Sequence, residues 1–495
     1  MEAVRIALLG TLPYRRSMFI GIDCGTSGIK ALLIDADGAP IGEANAPLEA
    51  SRPHPGWSEQ APEDWLEATG AALDALAREH DLSAVRGLSL AGQMHGATVL
   101  GEDDRPLRPS MLWNDVRASA EAAHLDADPR FRELSGNIVF PGFTAPKVLW
   151  LREHEPETFA AIRTVLLPKD FVRLWLTGEK ATDMSDASGT SWLNVAERDW
   201  STELIEASGA DPSWMPRTVE GTEATGTIRP DLASHWGMGR VTVAGGAGDN
   251  AGAACGTGVV APGTAFLSLG TSGVLFAAND RYRPNAASAV HAFCHALPGR
   301  WHQMAVILAA TDSLNWLSRV MAEDAGELAR AVSADIALRD PLFLPYLGGE
   351  RTPHNDANVR GALVGLAHET SRVGITTAVM EGVAHAFRDG LDALAEAGTT
   401  VERAIAVGGG SRSDAWLQMM ADTLGIRIDV PAKGEFGGAL GAARLARCSV
   451  EGADPTDVCA APKIERTLAP RGEQSRIQGE RHDRYRALYG AMKNE

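Results

Sequence analysis

The sequence predicts an α/β protein made of two similar halves, and three observations lead there. The chain has 495 residues, more than one hydrophobic core comfortably organises, so at least two large domains are expected. The stretch IGIDCGTSGIKALLI, residues 20–34, is echoed by TAFLSLGTSGVLFAA, residues 264–278, which is an internal repeat about half a chain apart. Between and after these stretches, helix-period segments alternate with short apolar runs of strand length.

Each repeat reads as a hairpin with a tight polar turn. Gly25-Thr26-Ser27-Gly28 and Gly270-Thr271-Ser272-Gly273 lie between apolar runs of strand length. Chance recurrence of turn chemistry is the competing reading, and the matching flanks and half-chain spacing favour the repeat. Backbone N–H groups and hydroxyls in such a glycine-flexed turn form a concave nest suited to phosphate oxygens. Two nests facing each other would grip a nucleotide tail.

The run 62–78 opens with Pro-Glu-Asp and places Trp65, Leu66, Thr69, Ala72, Leu73 and Leu76 on one face, which predicts a helix. Residues 85–90 and 241–244 read as strands that run into the glycine-rich turns AGQMHG and GGAGDNAG. Ligands of open α/β sheets collect outside the carboxyl ends of strands. Gln93, His95, Asp249 and Asn250 therefore draw attention. Near the C-terminal end, AIAVGGGSRSDAWLQMMADTLG reads as strand, glycine turn and a helix with Trp416, Leu417, Met420, Ala421 and Leu424 inward. The second hairpin sets the boundary between the halves near Val260, giving expected units of 18–260 and 261–495. Residues 1–17 are expected to be a disordered extension or to precede a true start at Met18.

Composition narrows the partners. Acidic residues outnumber basic ones by 64 to 46, a formal charge of -18, and such a field repels nucleic acid and anionic membranes. No apolar run reaches the roughly 20 residues of a membrane helix. The five cysteines, Cys24, Cys255, Cys294, Cys448 and Cys459, lack paired spacing and read as reduced thiols of a cytoplasmic protein.

Asp23, at the end of the first strand, could hold Mg2+ beside phosphates, with a surface-turn aspartate as the bland alternative. Asp249 follows Gly245-Gly246-Ala247-Gly248, a stretch expected to let backbone and substrate approach closely. It is the candidate general base, and a helix-capping or turn role competes with that reading. Met94 and His95 could line a polar pocket, His95 donating to a sugar hydroxyl and Met94 closing an apolar side; a structural histidine is the rival. His291, Cys294, His295 and His302 lack zinc-like spacing and read as hairpin residues. GGGSRSD fits neither a Walker loop nor a dinucleotide fingerprint, yet its glycines permit close approach to a nucleoside.

Taken together, GIDCGTSGIK, PGFTAPKVLWLREHEP, LPKDFVRLWLTGE, TDMSDASGT, GGAGDNAG, LSLGTSGV, PYLGGERTPHNDANVRG and GGGSRSDAWLQMMAD resemble the FGGY family of carbohydrate kinases. The resemblance runs from Phe19 almost to Ala443. It implies two actin-like (ribonuclease H-like) ATPase domains related by the repeat, with a cleft that closes over sugar and nucleotide. SRPHPGWSEQ, AGQMHGATVL, LRPSMLWND and VHAFCHALPGRWH are most similar to bacterial members that transfer the ATP γ-phosphate to O5 of D-xylulose. Carried over, this implies Asp249 as catalytic base and Met94, His95, Asp249 and Asn250 on the sugar. It also implies Mg2+ at Asp23 and Asp249, partly through water, and ATP at Thr26, Ser27, Gly270, Thr271, Gly409 and Gly410. A homodimer is a further implication. Two features depart from the family pattern: the first seventeen residues, and Cys24 where a leucine-like residue is expected.

A kinase for ribulose, gluconate or glycerol is the nearest alternative, since one hydroxyl contact can redirect specificity. An ATP-gated binding protein on the same fold is the rival from another class. Only about fifty residues follow Ala443, too few for an added peptide-binding module.

Overall fold

A computed structural model describes residues 17–432 and 437–493 of the chain. The expectations for residues 1–16 lie outside the described residues.

Both predicted hairpins form. Met18–Cys24 pairs antiparallel with Gly28–Ile34, which pairs antiparallel with Pro40–Pro47. On its other side the first strand runs parallel to Val85–Gly92, and that strand runs parallel to Thr242–Ala244, which carries Ala224–Thr227 antiparallel at the edge. The second sheet repeats this plan. Thr264–Leu269 pairs antiparallel with Gly273–Asn279, then Trp301–Ile307 follows antiparallel. Arg403–Val407 and Arg427–Pro431 are added in parallel, with Ile464–Leu468 antiparallel outside them. The repeat is therefore one of topology as well as of turn chemistry. His291–Cys294 extends the second sheet by pairing with Trp301–Ile307, so His291, Cys294 and His302 are hairpin residues, as their spacing predicts.

Parallel strands covered on both faces read as continuous apolar runs, and the first strand buries Phe19, Ile20, Ile22 and Cys24. Helix Pro62–Glu79 covers one face through Trp65, Ala72, Leu73 and Leu76, packed with Ile20, Ile22 and Leu88. The opposite face, with Phe19, Leu32 and Ile34, is covered by Ala439, Leu440, Ala443 and Ala446 of helix Gly438–Glu451. That helix follows the second hairpin in sequence yet lies on the first sheet. It approaches closely enough that a Cβ on Gly21 would sit 1.8 Å from Ala439 O, and one on Gly441 would sit 1.8 Å from Gly252 O. Only glycine permits such backbone-to-backbone contact.

The chain between Val85–Gly92 and Ala224–Thr227 builds a lobe with its own core around Phe131, Leu149 and Trp192. In the second half, Leu267, Leu275, Phe387 and Trp416 centre the largest apolar cluster. A further cluster joins the halves, bringing Met94 and Phe143 against Phe266, Phe276 and Phe293. No helix among the described residues is long and apolar enough to cross a membrane.

Candidate active site

The carboxyl ends of the parallel strands gather the predicted residues. Asp23 stands beside Ala91 and Ala91 beside Ala247, while Gly92 is flanked by Cys24 and Gly248. Asp249 is the first residue of helix Asp249–Thr257, where a carboxylate meets the positive end of the helix dipole. The backbone and side-chain amides of Asn250 donate to Asp249 Oδ1 at 2.6 and 2.9 Å. Burial pushes the Asp249 carboxyl up, and those two donors pull it back in part. Burial also pushes Asp23 up to about 6; the Asp249 charge adds to this, and Lys30, itself paired with Glu43, offsets only some of it. A buried carboxylate made harder to ionise by a second one fits a site for a hard divalent cation.

The small residues 245–248 serve packing more than substrate approach. Gly246 has φ 82° and a Cβ there would lie 2.1 Å from Leu90 O. One on Gly245 would lie 2.1 Å from Glu220 O, and one on Gly248 would lie 2.9 Å from Met94 Cγ and Sδ. Their smallness lets this turn nest against neighbouring backbone, with Met94 set directly against the residue before Asp249.

The turn is held from beneath by a fully buried charge network. Arg173 donates to Ala244 O at 2.7 Å and Gly245 O at 2.5 Å. Lys169 Nζ reaches Asp170, Asp183 and Asp186 at 2.7, 2.7 and 3.0 Å. Surrounded by three carboxylates, Lys169 is pushed well above its ordinary value against the pull of burial, and Lys169 in turn helps hold Asp183 below the usual carboxylate range.

His95 adopts a left-handed backbone, φ 70°. Lys147 Nζ and Thr144 Oγ1 clamp its carbonyl at 3.0 and 3.2 Å. Its ring stacks on Phe143 with centroids 4.5 Å apart, and its Nδ1 lies 2.7 Å from Gly189 O. A carbonyl only accepts, so Nδ1 carries the proton. Burial pushes the imidazole down to about 3, so the ring is neutral and Nε2 is a bare acceptor. A hydroxyl meeting this ring at Nε2 would therefore donate to it, the opposite sense to the expected donation from His95.

Thr26 is more occupied than a free nest residue. Its hydroxyl donates to Gln93 Oε1 at 2.8 Å and accepts from Trp113 Nε1 at 3.0 Å, while its carbonyl accepts from Gln60 Nε2 at 2.7 Å. Ser27, at the tip of the turn, is exposed.

In the second half, Gly408 has φ 87° and packs its backbone on Leu269 and Gly270, while a Cβ on Gly409 would meet nothing within 4 Å. Gly409 and Gly410 open onto a cavity of about 670 Å3 bordered also by Thr311, Asn315, Gly326 and Arg330. Thr311 ties this cavity to the second Gly-Thr-Ser turn, its backbone and hydroxyl donating to Gly270 O at 2.9 and 2.8 Å. A second cavity, about 700 Å3, is lined by Gly408, Ser411 and Arg412 on one side and by Ala253 and Thr257 of the Asp249-bearing helix on the other. Arg412 borders both cavities. Thr311, Asn315, Arg330 and Arg412 were not singled out in the sequence, where they lie in ordinary amphipathic helices or beside the glycines with no motif spacing to mark them.

The FGGY family of carbohydrate kinases, N-terminal domain, matches residues 18–256, and the C-terminal domain of the same family matches residues 265–450. The chain is 45% identical over 479 residues to the xylulose kinase of Escherichia coli (strain K12), covering 95% of this chain and 98% of that one. It is 35% identical over 483 residues to the xylulose kinase of Bacillus subtilis (strain 168), covering 96% of each. The crystal structure of a xyloylose kinase from Brucella ovis superposes with a TM-score of 0.95 at 53% identity, covering 96% of this chain and 99% of that one. Both halves thus match one family, and the chain belongs to the FGGY family of carbohydrate kinases.

Proposed function

We propose that the protein transfers the γ-phosphoryl group of ATP to O5 of D-xylulose, giving D-xylulose 5-phosphate in the cytoplasm. The observation that carries the reading is the junction at Asp249. A carboxylate fixed at a helix start by Asn250 has Met94 packed against the residue before it, and the same helix lines a cavity bordered by the glycine turn. The names of relatives matched over nearly their whole length support the choice of sugar.

In this reading Asp249 accepts the O5 proton as that oxygen attacks the phosphorus in line. Asn250 occupies Asp249 Oδ1 and leaves Oδ2 for the hydroxyl. His95 accepts a proton from another sugar hydroxyl, and Met94 walls the apolar edge of the carbon chain. Gly409 and Gly410 leave room for the nucleoside; Ser27 and the backbone of Gly270, Thr271 and Thr26 offer donors to the phosphates. Asp23 and Asp249 would hold Mg2+, partly through water, and the cation supplies charge neutralisation to the phosphates when bound. The homodimer that the resemblance implies belongs to the same reading.

The test is coupled ATP consumption with D-xylulose, D-ribulose, L-ribulose, glycerol and gluconate, each beside Asp249→Asn. D-Xylulose should be the best substrate, and the variant should lose about a hundred- to ten-thousandfold in kcat with its sugar KM little changed. Preference for another sugar overturns the substrate assignment, and near-normal turnover by the variant overturns the base.

A further inference from the structure

Arg351 belongs to a loop of the second half that is pinned on three sides. Glu350 and Asp356 exchange backbone hydrogen bonds at 2.8 and 2.9 Å. Val306 N donates to Thr352 Oγ1 at 3.1 Å, and that hydroxyl donates to Ala289 O at 3.0 Å. The loop is thus fixed to the second sheet, yet the Arg351 guanidinium reaches the first half, where it lies 4.2 Å from the ring centroid of Phe140. Phe140 contacts Phe143, and Phe143 stacks on His95.

Among the described residues, this guanidinium has an aromatic face against it but neither a hydrogen-bond acceptor nor an ion-pair partner. Its neighbour Glu350 does not neutralise it. Burial pushes the Glu350 carboxyl up to about 8, and its Oε1 is taken by the amides of Leu308 and Arg351. Burial lowers Arg351 only to about 10, so the cation persists at neutral pH. Arg351 is half-buried, and arginine has only donors to offer. Two adjacent ligand oxygens would match those donors.

A chain of contacts leads from Met94, set against Gly248 beside Asp249, through His95, Phe143 and Phe140 to Arg351. With O5 at Asp249, the opposite end of the sugar would lie along this chain of contacts. We propose that Arg351 reads the 1-hydroxy-2-keto end of the substrate, two N–H groups of one guanidinium edge donating to the neighbouring hydroxyl and carbonyl oxygens. This rests on the ketose reading of the same site and adds the group that would select a ketose over a polyol. A planar fork matches two adjacent oxygens, one of them a carbonyl held in plane, better than a flexible ammonium does.

The test compares D-xylulose with its two C2 alcohols, xylitol and D-arabinitol, and D-ribulose with ribitol, in the wild type, Arg351→Met and Arg351→Lys. Losing a charge-assisted hydrogen bond should lower kcat/KM for the ketose about tenfold to a hundredfold, mostly through KM. The polyols should change less than about threefold and the KM for ATP should hold, which also shows that the variants fold. Arg351→Lys should fall between wild type and Arg351→Met. An equal loss on ketose and polyol, or an unchanged ketose KM, overturns the inference. A wild type that prefers D-ribulose overturns the D-xylulose assignment alone, because the ketose-to-polyol ratio still reads Arg351 on that sugar. A wild type that prefers polyols overturns both.

Discussion

Ser185 Oγ accepts a hydrogen bond from the Gly248 amide at 3.0 Å and donates its own proton to Asp183 Oδ1 at 2.5 Å. Asp183 in turn holds Lys169 at 2.7 Å. One hydroxyl therefore connects the buried charge network to the residue before the proposed base. Ser185→Ala leaves the Gly248 amide without its acceptor, at a cost of about 1–3 kcal/mol, while Asp183 Oδ1 keeps the amides of Ser185 and Asp186. Initial-rate kinetics should show kcat falling about tenfold with the sugar KM within about twofold. A rise in KM with unchanged kcat would show that the network serves sugar binding and not the base.

Gly189 backs His95 and Met94, the proposed sugar contacts. A Cβ there would lie 2.4 Å from His95 Cε1 and Nδ1 and 3.0 Å from Met94 Cε. Gly189→Ala should displace the imidazole from its carbonyl partner. The expected result is a KM for D-xylulose raised about tenfold or more, with the KM for ATP unchanged, at an overpacking cost of about 1–3 kcal/mol.

The glycine turn of the second half offers two neighbouring substitutions with opposite signatures. Gly408 is at φ 87° and its Cβ would lie 2.7 Å from Leu269 O, so Gly408→Ala should lower the melting temperature by several degrees. Gly409→Ala adds a methyl group into open space. It should melt like the wild type and change only the KM for ATP, because that methyl group enters the cavity of about 670 Å3.

Acid should destabilise the protein through its buried histidines. Burial pushes His95 down to about 3 and His295 down to about 4, and lowers His291 and His302 further below the ordinary value of 6.5. Unfolded chains take up protons on these rings below 6.5 while the folded protein does not, so stability is full above 6.5 and declines as pH falls toward the folded values. Each such ring costs about 1.4 kcal/mol per pH unit once well below 6.5. Urea melts at pH 7.5 and 5.5 should show a drop in midpoint, offset in part because Glu350 and Asp23, raised to about 8 and about 6, favour the folded state as pH falls; a midpoint that rises on acidification would mean that these rings are not held neutral.

The fold was legible wherever a local pattern carried it. The two Gly-Thr-Ser-Gly turns and their apolar flanks gave the hairpins, and Trp65, Ala72, Leu73 and Leu76 gave the helix on the first sheet. The candidate site was legible in part. Asp23, Met94, His95 and Asp249 stand at strand ends next to glycines and advertise themselves. The hydrogen-bonding sense of His95 did not, because it depends on Gly189, 94 residues away. Arg351 stayed silent for the same reason: its proline-flanked loop has no chemistry until Phe140 is brought beneath it. The burial of helix Gly438–Glu451 on the first sheet was likewise invisible, since an alanine-rich amphipathic segment does not say which sheet it covers.

That crossing makes the two copies of the ancestral plan inseparable. Helix Gly438–Glu451 is the floor of the first sheet and also touches helix Asp249–Thr257 through glycine backbones. Cutting the gene between the repeats would strip the first half of its lining and leave the second with an orphaned apolar helix. Arg444 fastens the crossing, donating from the one helix to Cys255 O and Gly256 O of the other at 2.8 and 2.9 Å.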